Sequence, residues 1–152
     1  MPDLLAFALG EHRFALMASE VVEVVRVVAA EPLPGAPAIV EGVINVRGNL
    51  VPVLDIRGRF AIPPADLDPG QHLIISRAGR RRVALRVDRA LELVRVDEGA
   101  IQPCEEVVPG VRYVGGVAKL PDGVLVIHDL ERFLSLEEEA RLDAATGAAA
   151  RV

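Results

Sequence analysis

The chain has 152 residues, of which 51% are hydrophobic and only 3% aromatic, and its formal net charge at pH 7 is −5. This length suits one compact domain or two small halves that share an interface. The acidic balance argues against a nucleic-acid binder, which needs a basic face. No stretch approaches the ~20 apolar residues that cross a bilayer, and the first residues lack the basic segment of a signal peptide.

We therefore expect a cytoplasmic protein without direct membrane insertion. The single cysteine, Cys104, excludes an internal disulfide, which fits a reducing compartment.

Short valine-rich runs separated by turn residues predict a mainly β protein. In chain order, the predicted strands are residues 4–9, 13–17, 22–28, 41–46, 50–56, 73–76, 82–87, 91–96, 114–120 and 124–128. Glycine or asparagine at the turns after the first, fourth, sixth and ninth strands predicts hairpins there, because these residues tolerate positive φ.

The other segments are predicted as connections and helices. Residues 19–20 and 57–60 are predicted as single helical turns, and the proline-rich residues 62–70 as a linker that leaves slight freedom between two halves. Residues 129–143 have helical spacing of apolar side chains. Residues 144–152 are predicted to be a flexible tail.

The chain also repeats itself. Residues 10–27 align with residues 79–96 without a gap, so that Glu-x-Val-Arg-Val meets Glu-x-Val-Arg-Val. Residues 42–55 align with residues 116–129 in the same way. Two strand patterns can align by chance, but the shared turn glycine and charged positions favour a structural duplication, with one small barrel of about five strands in each half.

Residues 42–55 carry the string Gly-Val-Ile-Asn-x-Arg-Gly-x-x-x-Pro-Val-x-Asp. This string resembles the signature of the CheW-like family of chemotaxis adaptors. The resemblance extends from about Leu4 to Asp143 and includes the motif Tyr-Val-Gly-Gly-Val at residues 113–117. His128 stands where the family usually has an aliphatic residue.

The resemblance implies a single CheW-like domain over residues 1–152, built from two tandem SH3-like five-stranded β-barrels with short helices and a C-terminal helix. We expect the first barrel at about residues 13–65 and the second at about 71–128. The N-terminal strand and the C-terminal helix are expected to pack across the halves.

The resemblance also implies a role without catalysis or cofactor. Such adaptors couple the cytoplasmic tip of methyl-accepting chemoreceptors to the regulatory domain of a CheA-type histidine kinase, at membrane-associated receptor arrays. It assigns partner contacts to Arg47, Glu23, Val21, Asn45 and Gly48, with Val21 as an outward apolar contact beside the charge of Glu23. A related adaptor role in a non-flagellar pathway governing pili or development is the alternative.

Plainer interpretations remain open for individual residues. Arg47 is either a receptor contact or a structural arginine that holds Asp55 or stays solvated in its turn. Asp55, Asp88 or Asp129 with a histidine would serve a small hydrolase, but no nucleophile or cofactor motif accompanies them. The three histidines lack zinc-site spacing. The basic turn at residues 80–82 meets either a phosphate, an acidic partner or solvent.

Overall fold

The computed structural model describes residues 2–103, 114–130 and 136–150. Within these ranges it is mainly β, with three single turns of 3-10 helix at Ala18–Glu20, Arg57–Phe60 and Glu98–Ala100. The strands are β1 (Asp3–Leu9), β2 (His12–Met17), β3 (Val21–Arg26), β4 (Val40–Val46), β5 (Asn49–Leu54), β6 (His72–Ala78), β7 (Arg81–Val87), β8 (Arg89–Arg95), β9 (Ile101–Gln102), β10 (Val114–Leu120) and β11 (Gly123–His128). A C-terminal helix, α1, covers Leu136–Ala150.

The strands form two sheets. The first sheet has the order β8-β1-β2-β11-β10-β9, and the second has the order β3-β6-β7-β5-β4. In the second sheet, an isolated bridge between Glu31 and Val43 ties the chain after β3 to the edge strand β4. In the first, β9 follows β8 in the chain and pairs with β10. Each sheet therefore curls back towards its own other edge, and the predicted mainly β, SH3-like fold class is confirmed.

The two sheets have the same topology, which supports the internal duplication. Strands β8, β1, β2, β11 and β10 of the first sheet stand in the order of β3, β6, β7, β5 and β4 of the second. The parallel pairs also correspond, since Val53 lies opposite Ala84 in one sheet and Ile127 opposite Ala15 in the other. Equivalent pairings in both halves follow the sequence repeat residue by residue.

The sheets do not divide the chain into residues 13–65 and 71–128. β2 belongs to the first sheet although β3, β4 and β5 belong to the second, and β6 and β7 join the second sheet although β8 to β11 join the first. The halves exchange strands: β3 pairs with β6, and β8 pairs with β1. Strand pairing therefore crosses the boundary of the expected division, because either copy of a duplicated strand offers the same pairing edge.

Apolar side chains form three clusters. Each sheet encloses a small one, around Ala6, Ala15 and Leu125 in the first sheet and around Val53, Leu73 and Ala84 in the second. The largest cluster lies between the sheets and includes Phe7, Phe14, Leu54, Ile74, Leu85 and Leu142. Because an apolar side chain gains about 1.5–3 kcal/mol on full burial, this shared cluster stabilises the association of the two sheets.

Helix α1 extends into the predicted flexible tail. It runs to Ala150, Leu142 is completely buried in the central cluster, and Ala145 is 7% exposed. Asp143 accepts hydrogen bonds from Arg80 and Arg81 at the β6–β7 turn. Residues 144–150 of the predicted tail are thus helical, and residues 151–152 lie outside the described residues.

Arg86 fixes the segment between the halves. Its guanidinium, 6% exposed, donates to Glu41, to Gln71 Oε1 at 3.0 Å and to the carbonyl of Ala65 at 3.0 Å. Gln71 also donates to the carbonyl of Asp66 at 3.0 Å. A buried guanidinium that is hydrogen-bonded to carboxylates holds its partners strongly, so the predicted linker is tied to the second sheet.

Candidate functional site

The β4–β5 hairpin presents Arg47 at its tip. Arg47 and Gly48 are the two central turn residues, with φ of 50° and 88°, the pattern of a type I′ turn. Positive φ is unfavourable for a residue with a Cβ atom. The Asn45 side chain supports the turn by accepting a hydrogen bond from the backbone N–H of Gly48 at 2.7 Å, so three of the predicted partner residues form one small structure.

Arg47 forms a two-pronged ion pair with Glu23 of β3. Arg47 Nη1 lies 2.6 Å from Glu23 Oε1, and Nη2 lies 3.1 Å from Oε2. The hydrogen bonds and positive charge of Arg47 hold the pKa of Glu23 below its usual value, and Glu23 in turn raises the pKa of Arg47. The Arg47 side chain is nevertheless 75% exposed, so the pair orients the guanidinium without burying it.

An exposed apolar residue stands beside this turn. Leu50, which pairs with Asn45, is 46% exposed. A cavity of about 510 Å³ lies next to the turn and is lined by Leu50, Arg82 and Thr146 among others. We define the Arg47 surface as Glu23, Asn45, Arg47, Gly48, Leu50 and Arg82.

Val21 does not provide the expected outward apolar contact. It is half-buried and packs against the central cluster. The register of β3 shifts between Val21 and Glu23, and such a bulge changes which side chains face outward. Val24 is the exposed valine instead, and a bulge of this kind leaves no clear signal in the sequence.

Two of the aspartates considered for catalysis are bound by buried arginines. Asp55 accepts from the backbone N–H of Arg57 at 3.0 Å and from Arg86 at 3.3 Å. Asp88 accepts from Arg57 at 2.9 Å and from the backbone N–H of Gly10. Arg57, 1% exposed, follows β5 of the second sheet, whereas Gly10 is in the β1–β2 turn of the first. Asp88 therefore joins the two sheets, a structural use of the carboxylate.

The basic turn at residues 80–82 has an acidic partner within the chain. Arg80 and Arg81 both bind Asp143 of α1, which accounts for two of the three arginines. Arg82 is exposed, and its charge contributes to the lowered pKa of Glu23. This turn thus docks the C-terminal helix and adds one cation to the Arg47 surface.

His128 is an interior residue. It is 1% exposed, neither ring nitrogen has a hydrogen-bond partner, and the ring meets Phe60 edge-on at 5.9 Å. Burial, with a smaller effect from Arg59, lowers the pKa of His128 to about 3. A neutral imidazole therefore fills the place that Leu54 occupies in the other sheet.

Cys104 lies outside the described residues. Within the described part of the chain, no group of three or more histidine, cysteine, aspartate or glutamate side chains is arranged to hold a metal ion. No helix among these residues is long and apolar enough to span a membrane.

Comparisons with known proteins identify relatives along nearly the whole chain. The chain is 28% identical over 146 residues to the chemotaxis protein CheW of Treponema pallidum, covering 92% of this chain and 86% of that protein. It is 29% identical over 143 residues to the chemotaxis protein CheW of Klebsiella aerogenes, covering 93% and 86%.

A solved structure, the scaffolding protein TtCheW of Thermoanaerobacter tengcongensis, superposes with a TM-score of 0.80 at 30% sequence identity. The match covers 91% of this chain and 96% of that one. The family model described as the CheW-like domain matches residues 3–138. The chain, with its two interlocked sheets and its Gly42–Asp55 hairpin, belongs to the CheW-like domain family.

Proposed function

We propose that this protein is a non-enzymatic scaffold that couples chemoreceptors to a CheA-type histidine kinase in bacterial chemotaxis. The observation that carries the proposal is the Arg47 surface, because the family's signature string folds into the hairpin that presents this arginine. It would act in the cytoplasm, recruited to membrane-associated receptor arrays. Coupling requires two partners whose binding is energetically linked through one body.

The Arg47 surface has the chemistry of a helix-docking site. Exposed Leu50 offers apolar area, and the adjacent cavity, which it lines, offers depth for a side chain. An amphipathic helix docks by placing its apolar stripe in such a groove. Arg47 is already oriented by Glu23, so little side-chain entropy is lost when it meets a partner. We assign this surface to the receptor's helical tip.

The kinase regulatory domain would bind elsewhere on the molecule. The rigid connection between the sheets supports this division, since the central cluster and the Arg57–Asp88–Gly10 contact link them. A displacement of one sheet would then shift the other, because packed interiors transmit strain.

The test is a titration of the protein against the tip fragment of a co-encoded receptor and, separately, against the regulatory domain of a co-encoded kinase. Arg47→Ala and Glu23→Ala are expected to weaken tip binding by at least about tenfold, which corresponds to about 1.4 kcal/mol. Kinase-domain binding should stay unchanged. Arg80→Ala is the matched control, because Arg80 is an 81% exposed arginine whose ion pair points to α1.

A charge-reversed double variant separates a docking role from a structural one. Glu23→Arg with Arg47→Glu restores an ion pair within the chain but reverses the charges shown to a partner. We expect fold stability close to wild type and no recovery of tip binding. Full recovery would mean that only the internal ion pair matters, and absence of tip and kinase binding in the wild type would refute the coupling role.

A further inference from the structure

Two arginines face each other across the β6–β7 hairpin. Arg77 of β6 lies directly opposite Arg82 of β7 in the antiparallel register, and both residues are exposed. Like charges directly opposite each other on neighbouring strands are destabilising. In the part of the chain that the structure describes, neither arginine forms an ion pair. The hairpin therefore holds a repulsive pair of charges that an anion from outside the chain would relieve.

This pair adjoins the ion pair of the Arg47 surface. Glu23 lies opposite Ile75, two residues before Arg77 in β6, and side chains two apart in a strand point to the same face of the sheet. The hydrogen bonds and charge of Arg47, together with the charge of Arg82, lower the pKa of Glu23. Arg77 and Arg82 thus lie on the face of the second sheet that carries Glu23.

The charge of this region stays positive after its carboxylates are counted. Its cations are five arginines, Arg47, Arg77, Arg80, Arg81 and Arg82. Asp143 and Glu23 bind arginines of this set, and Glu20 stands directly before β3. Five arginines against these three carboxylates leave a net positive charge, in a protein whose net charge is −5.

A cavity joins this positive charge to an apolar contact. The cavity of about 510 Å³ beside the β4–β5 turn is lined by Leu50, Arg81, Arg82 and Thr146, and no acidic side chain among the described residues lines it. A guanidinium is a planar donor that can hold a carboxylate through two parallel hydrogen bonds. The cavity therefore suits an acidic side chain that stands beside an apolar one.

We propose that Arg77 and Arg82 with this cavity, here named the arginine site, bind a carboxylate of the receptor's helical tip. This inference rests on the proposed function, because it specifies the chemistry that the tip presents to the Arg47 surface. On a helix, a residue three or four positions away from the one that contacts Leu50 lies on the same face. Glutamate or aspartate at that spacing meets Arg82, and its charge offsets the repulsion between Arg82 and Arg77.

The test is a calorimetric titration of the full chain with the co-encoded receptor-tip fragment at low and high salt. Screening lengths of about 10 Å at about 0.1 M salt and about 3 Å at about 1 M salt predict weaker tip binding at high salt. At low salt, Arg82→Gln should weaken tip binding about tenfold. Arg82→Lys, which keeps the charge, should recover part of this loss. The double variant Arg77→Gln with Arg82→Gln should have the smaller salt dependence.

Two controls separate the arginine site from a general effect of charge or of folding. Arg80→Gln removes a charge from the same turn, but Arg80 is held by Asp143 of α1, so tip affinity and salt dependence should stay close to wild type. Urea denaturation of the double variant should show stability equal to or above that of wild type, because the like-charge pair is gone.

The possible failures are distinguishable. Equal tip affinity in wild type and the double variant overturns the arginine site and leaves the proposed function standing. An equal loss of tip affinity in Arg80→Gln also overturns it, as does a loss of tip binding that accompanies lower stability of the double variant. Loss of kinase-domain binding with tip binding intact overturns it too. Absence of any tip binding by wild type overturns both proposals together.

Discussion

Gly42 sits where the second sheet curls back on itself, and alanine at this position should be strongly destabilising. Glu31 and Val43 exchange two backbone hydrogen bonds here, of 2.9 and 2.8 Å. A Cβ atom on residue 42 would lie 2.1 Å from the Glu31 carbonyl oxygen and 2.6 Å from its carbon. Neither atom belongs to a flexible side chain, so the backbone must move and the bridge must open.

The cost follows from these contacts. Overpacking costs about 1–3 kcal/mol, and the two lost hydrogen bonds cost about 1 kcal/mol each. We therefore expect Gly42→Ala to lower the free energy of unfolding by about 3–5 kcal/mol. For a chain of this size that corresponds to a fall in Tm of about 6–20 °C.

Urea and thermal denaturation of three glycine variants test this reasoning. Gly116 is the equivalent residue of the first sheet, where a Cβ would lie 3.0 Å from the Gln102 carbonyl oxygen, and Gly58 has open space around it. The expected order of destabilisation is Gly42→Ala, then Gly116→Ala, with Gly58→Ala within about 0.5 kcal/mol of wild type. Equal stability of Gly42→Ala and Gly58→Ala would refute the closure of the second sheet through Glu31 and Val43.

Three further predictions concern the junction and the interior. Asp88→Asn leaves the buried charge of Arg57 poorly compensated and should cost about 3 kcal/mol in urea unfolding. This is the low end of the usual range, because the Asp88 side chain is 33% exposed. A loss below about 0.5 kcal/mol would contradict a stabilising role for the Arg57–Asp88 ion pair. Leu142→Ala should cost about 3 kcal/mol and speed amide exchange in α1, whereas unchanged exchange would mean that the helix does not dock through Leu142. The pKa of His128 in the folded protein is about 3, below its ordinary value of 6.5. Between these two pH values the unfolded state binds a proton at His128 and the folded state does not. The free energy of unfolding therefore falls as the pH drops from 6.5 towards 3. At pH 5 this loss is about 2 kcal/mol and should be absent in His128→Leu; the same pH dependence in both proteins would contradict a buried neutral imidazole.

The sequence was sufficient to predict the hairpins, the repeat and ten of the eleven described strands; the two-residue β9, Ile101–Gln102, was missed because so short a strand has no periodicity to read. Glycine turns and valine-rich runs encode these features locally, as at Gly10, Gly79 and the Arg47–Gly48 turn. The exchange of strands between halves could not be predicted in the same way. Copies of a duplicated strand present equivalent edges, so only the assembled structure selects β6 for β3 and β1 for β8.

The candidate site was predicted only in part. The family string indicated Arg47, Asn45 and Gly48, and the structure brings them together with Glu23. The exposed valine was misassigned to Val21, because the bulge in β3 shifts the alternation by which the inward and outward faces are predicted. The docked end of α1 was missed because its alanine-rich sequence has only a weak apolar stripe, and its position depends on Leu142 and Asp143 meeting distant residues.

The claim that this protein is a coupling scaffold requires that it hold both partners at once. The most direct measurement is analytical ultracentrifugation of the full chain mixed with the co-encoded receptor-tip fragment and the co-encoded kinase regulatory domain. The account predicts a single complex that contains all three components and loses the receptor tip, but not the kinase domain, in Arg47→Ala. Displacement of the kinase domain by the receptor tip would contradict it, since a scaffold whose partners exclude each other cannot couple them.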